Sequence, residues 1–110
     1  MILPNPAYHL PPSRTCQDIQ FAMVYARTVA LLQQPERTPD EDADLLQSAL
    51  CCTECAALVD RRELRLRSVA LLIRAQTALG HHQAAAVQRH RLGRLVGSEA
   101  VGADLMTALS

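Results

Sequence analysis

The chain has 110 residues, eleven acids and eleven arginines, no lysine, and a formal net charge of zero. A balance of that kind argues against a dedicated binder of nucleic acid or other polyanions. Its apolar share is 49% with only 3% aromatic, and the apolar mass is Leu, Ala and Val, which favours helices over sheets.

Residues 1–14 read as an extended arm, because Pro4, Pro6, Pro11 and Pro12 break any helix and favour polyproline-like geometry. Ile2, Leu3, Tyr8 and Leu10 give the arm apolar contacts to make with its own domain or with a second copy. The start lacks a basic segment followed by an unbroken apolar run, so no secretory signal is expected. No uncharged apolar stretch approaches 18 residues, so no membrane span is expected either. A cytoplasmic location with free thiols follows as the expectation. Residues 15–110 are expected to form a single helical domain.

A first helix is expected to start near Thr15, where Thr15 and Asp18 have capping-box spacing, and to end before Pro35. It has apolar residues on two sides. Ile19, Met23, Ala26 and Ala30 form one stripe; Phe21, Val24, Tyr25, Leu31 and Leu32 lie on the other. A helix that is apolar nearly all round needs cover on more than one face.

Thr38-Pro39-Asp40-Glu41 is the strongest helix start in the chain. Thr38 can cap, Pro39 suits the first helical position, and Glu41 can bond back to the cap. The second helix then runs through the cysteines to about Asp60. Leu45, Ala49, Cys52, Ala56 and Val59 step by 4, 3, 4 and 3, the seam of an amphipathic helix. Cys52 and Cys55 have the spacing of redox centres and zinc knuckles. A redox pair, however, sits at a helix N-terminus after a strand, and zinc takes four ligands. Cys16, His81, His82 and His90 provide no second pair of finger-like spacing. The reading adopted is a structural one, with Cys52 as a small core residue.

A third helix is expected over about Arg61 to Leu79, with Asp60 as its cap and Glu63 closing a capping box. A single helix from Pro39 to Leu79 would be about 60 Å long, so a break near Asp60 is preferred. Leu66, Val69, Ala70 and Ile73 make one apolar face of this helix. Leu64, Leu71, Ala75, Ala78 and Leu79 make another. Gly80 is the stop signal, His81 and His82 form the turn, and a fourth helix runs from Gln83 to Val96. Leu105, Met106 and Leu109 would suit a short fifth helix or a frayed tail. Leu72, Gly80, Ala85 and Leu92 fall roughly where a tetratricopeptide unit places such residues. Ile73, Gln76 and Arg89 do not fit that pattern, so the segment reads as a generic helical hairpin.

The fold class expected is therefore all-α: a small four- to five-helix bundle of antiparallel helices behind an extended proline-rich N-terminal arm. Charge divides along it. Residues 36–60 hold seven acids and one Arg, and residues 61–94 hold eight Arg and one acid. No Ser/His/Asp arrangement, glycine-rich phosphate loop or isolated carboxylate pair is present, so no enzyme and no cofactor or metal is expected. Surplus apolar surface on the first and third helices points instead to a homodimer and to a regulatory module that masks a helical or dimerisation surface of another protein. That partner would be a transcription regulator or a secreted client, in the manner of antiactivators or chaperones. The candidate contact residues are Phe21, Val24, Tyr25, Leu31, Leu32, Leu64 and Leu71, with Arg67 and Arg74 to steer an acidic partner. Two alternatives stand beside this reading. One is a helix-turn-helix regulator reading DNA through Arg89, His90, Arg91 and Arg94. The other is a zinc- or redox-responsive protein using Cys52 and Cys55.

Overall fold

A computed structural model describes residue 10 and residues 15–59 and 61–96. Four helices follow one another: α1 (Cys16–Gln33), α2 (Pro39–Ala57), α3 (Arg62–Ala78) and α4 (His82–Val96), with no strand among the described residues. The all-α expectation is met. Apart from Leu10, the proline-rich arm lies outside the described residues, as does the segment with Leu105, Met106 and Leu109.

Local chemistry explains where each helix begins and ends. Thr15 caps α1 by accepting from the Asp18 N–H at 3.1 Å. The Asp18 carboxylate does not complete a capping box. It is buried and accepts from Arg61 Nη1, 3.0 Å away and 43 positions along the chain. At α2 the full box forms. Thr38 Oγ1 accepts from the Glu41 N–H at 3.2 Å, and Glu41 Oε1 accepts from the Thr38 N–H at 3.1 Å. The Thr38 N–H bond to the carboxylate, followed by the Thr38 side chain, favours the charged form and holds Glu41 below its usual pKa. Replacing Thr38 with Ala should lower stability by about 1 kcal/mol, the usual cost of a lost N-cap. A urea melt with unchanged slope would register it.

Arg37 joins the first two helices. It donates to Asp42 Oδ1 at 2.8 Å and to the Leu31 carbonyl at 3.2 Å, which also accepts from the Gln34 N–H at the end of α1. The break between α2 and α3 falls where expected but has a different cap. Arg61 is the N-cap residue of α3 and gives no side-chain cap bond; Asp60 lies outside the described residues. Glu63 accepts from Arg67 Nε one turn on, at 3.2 Å. Gly80 ends α3 with φ of 80°. The Gly80 N–H reaches the Thr77 carbonyl at 3.1 Å, and the His81 N–H reaches that of Gln76 at 2.8 Å. That pair of bonds is a Schellman motif, and its left-handed residue needs Gly.

Packing follows chain order. α1 lies on α2, α2 on α3 and α3 on α4, while α1 also touches α3. One buried cluster joins Phe21, Tyr25 and Val29 of α1, Cys52 and Ala56 of α2, Val59 of the following turn, and Leu64 and Leu71 of α3. The Phe21 and Tyr25 rings lie 5.6 Å apart within it. A second cluster joins Leu45 and Ala49 of α2 to Leu72 and Ala75 of α3. Leu66, Val69 and Ala70 of α3 are buried as well, as are Ala85 and Leu92 of α4, which packs on α3. Helix α3 is therefore enclosed by the other three, and both of its apolar faces are used inside the protein.

Candidate interaction surface

The nine residues singled out from sequence lie mostly within the fold. Phe21 and Leu71 are fully buried, and Tyr25 and Leu64 are 2% exposed. Val24 and Leu32 are half-buried against the first cluster, and Leu31 and Leu32 border the second. All seven apolar candidates thus hold the helices together, and in this arrangement they do not form an open face. Arg67 pairs with Glu63, and both Glu63 and Arg74 are exposed on α3.

The outward face of α1 is its other stripe. Ile19 is 52% exposed and Met23 69%, and both Ala26 and Ala30 are exposed. With exposed Cys16 the stripe steps by 3, 4, 3 and 4, the spacing of a coiled-coil seam. Its only charged neighbour on the outer side of α1 is Arg27, which pairs with Asp44 of α2 at 3.6 Å. Sequence periodicity identified both stripes but assigned the functional role to the inner one. A usable signal was size. Burying a large side chain such as Phe or Leu contributes about 1.5–3 kcal/mol, so the side carrying Phe21, Tyr25 and the leucines goes inward, and the side with two alanines stays out.

The cysteines divide by helix face. Cys52 is fully buried beside Thr28, and burial pushes its thiol up to about 12. Cys51 and Cys55 are half-buried, and burial also raises Cys55, followed by the nearby Cys51. Cys52 and Cys55 therefore do not face the surface as a pair. Among the described residues, no group of three or more His, Cys, Asp or Glu could hold a metal ion.

At the far end, Arg91, Arg94 and Leu95 of α4 line a shallow groove. Arg62 donates to the Leu95 carbonyl at 2.8 Å, and Arg89 donates to Thr77 Oγ1 at 3.1 Å. His81 and His82 are exposed in an open depression with Gly80, Gln83 and Ala84. No helix among the described residues is long and apolar enough to cross a membrane. Comparison with protein-family models, curated proteins and solved structures finds no match for this chain.

Proposed function

We propose that this protein is a non-catalytic regulatory interaction module whose α1 holds and masks a helix of another protein. In the absence of that partner, the same face binds α1 of a second copy. The observation that carries this reading is the outward stripe of α1, where Ile19 and Met23 stand exposed at seam spacing. Large exposed side chains clustered on one helix face commonly mark an interaction site. An amphipathic helix offering i, i+3, i+4, i+7 anchors is the occupant that such a stripe fits.

The stripe is also complementary to itself. Its N-terminal half carries the large Ile19 and Met23, and its C-terminal half the small Ala26 and Ala30. Two copies crossing antiparallel would set Ile19 opposite Ala30 and Met23 opposite Ala26. The result is an isologous contact in which large residues fill the space beside small ones. A regulatory partner would displace the copy by presenting a better matched helix.

The test is site-specific photo-crosslinking in the source cell, with benzoylphenylalanine in place of Met23. The reading expects a discrete adduct to another protein, lost when Ile19 is changed to Glu and absent when the probe replaces Gln47. An adduct to the chain itself and nothing else would reduce the function to self-association. No adduct at all would overturn the reading.

A second reading rests on the exposed Arg89, His90, Arg91 and Arg94 of α4, which would contact duplex DNA. It expects salt-dependent binding of random duplex that is abolished in an Arg89→Ala, Arg91→Ala variant. Tight binding left unchanged in that variant would remove it.

A further inference from the structure

We propose that Cys51 and Cys55 form a two-coordinate site for a soft monovalent d10 cation, with copper(I) as the probe, in the seam between α1 and α2. The two cysteines are one turn apart on the same side of α2, and both are half-buried and reduced. Asp44, Ser48, Cys51 and Cys55 recur there at steps of 4, 3 and 4. That side meets α1, since Asp44 reaches Arg27 across the seam and Cys55 packs with Val24 against the first cluster. Side chains four positions apart on a helix are neighbours, so the two thiols lie beside each other.

Geometry selects the ligand class. Side chains at i and i+4 on a helix have Cβ atoms about 5–6 Å apart. A disulfide needs roughly 3.5–4.5 Å, so a direct bond would distort α2. A linear sulfur–metal–sulfur bridge holds its two sulfurs further apart than the directly bonded pair of a disulfide, a span that rotamer adjustment on an intact helix can meet. Zinc would want two more ligands, and none of the described residues completes such a set. Copper(I) is satisfied by two thiolates, and thiolate is the donor that soft cations select. Binding forms two Cu–S bonds and releases two thiol protons to solvent. The centre carries one negative charge, and no electron is transferred. Cys52 takes no part, because it is fully buried in the core.

The test uses the full chain, purified with reductant and chelator and then titrated anaerobically with copper(I) against a chromogenic copper(I) chelator. One equivalent per chain should leave the chelator. Cys51→Ser and Cys55→Ser should each weaken binding by about 100-fold or more, at least as much as the loss of an outer-shell partner. Cys16→Ser should have no effect. In the wild-type chain, copper(I) should protect Cys51 and Cys55 from alkylation while Cys16 stays reactive, which reports on the site even if a serine variant folds poorly. Failure to compete with the chelator, or protection falling on Cys16 alone, would overturn the proposal. So would equal affinity in the Cys51→Ser, Cys55→Ser double variant.

Discussion

Phe21→Ala should lower the unfolding free energy by about 3–5 kcal/mol, whereas Met23→Ala, two positions along the same helix, should change it by no more than about 0.5 kcal/mol. Phe21 is fully buried, touches Tyr25 and sits where α1, α2 and α3 meet. Removing its ring deletes apolar contact area and leaves a cavity among three helices, which cannot close without moving one of them. Met23 is 69% exposed, so its truncation opens no cavity. Chemical melts of the two variants decide which stripe of α1 belongs to the core. Leu71→Ala should behave like Phe21→Ala, with a loss of about 2–5 kcal/mol. Small effects at Phe21 and Leu71 together with a large one at Met23 would mean that α1 is turned the other way.

Arg61→Ala should cost about 3 kcal/mol. The Asp18 carboxylate is only 2% exposed, and Arg61 approaches it at 3.0 Å from the residue just before α3. Removing one member of a buried ion pair costs roughly 3–5 kcal/mol, because the other charge stays desolvated. The lower end applies because the Arg61 side chain is itself 20% exposed. The pair ties the first turn of α1 to the start of α3. The loss should therefore appear as earlier hydrogen exchange at the N-terminus of α1 as well as in the melt. Arg61→Lys should recover part of the stability through the retained charge. A loss below about 0.5 kcal/mol would show that the pair is an incidental surface contact.

These two cases show what the sequence made legible and what it did not. The starts of α1 and α2 and the stop after α3 were readable because their causes are local. Thr15, the Thr38–Glu41 box and Gly80 act within a few residues of themselves. Asp18 was legible as an acid near a helix start, but it also pairs with Arg61, 43 positions away, and no spacing rule reaches that far. The capping box expected between Asp60 and Glu63 lies partly outside the described residues, and Glu63 also meets Arg67 one turn on.

The site shows a different kind of gap. Periodicity counted two apolar sides on α1 and two on α3 without revealing which neighbour covers each. Because α3 lies between α2 and α4 and also touches α1, its large apolar residues go mostly into the core, while the Ile19–Ala30 side of α1 stays exposed. The cysteines were legible in part. Cys52 lies in the core, as its place on the apolar seam predicts, while Cys51 and Cys55 are half-buried.

The central claim is that the outer stripe of α1 is a protein-binding face, occupied by a second copy when nothing else is present. Native mass by light scattering, across a range of loading concentrations and with reductant and chelator present, tests it most directly. The wild-type chain should move toward about twice 12.1 kDa as concentration rises. Ile19→Glu and Met23→Glu should each hold it at the monomer mass with helical content unchanged. A monomer at every concentration, or a dimer that both glutamate variants leave intact, would contradict the assignment of that face.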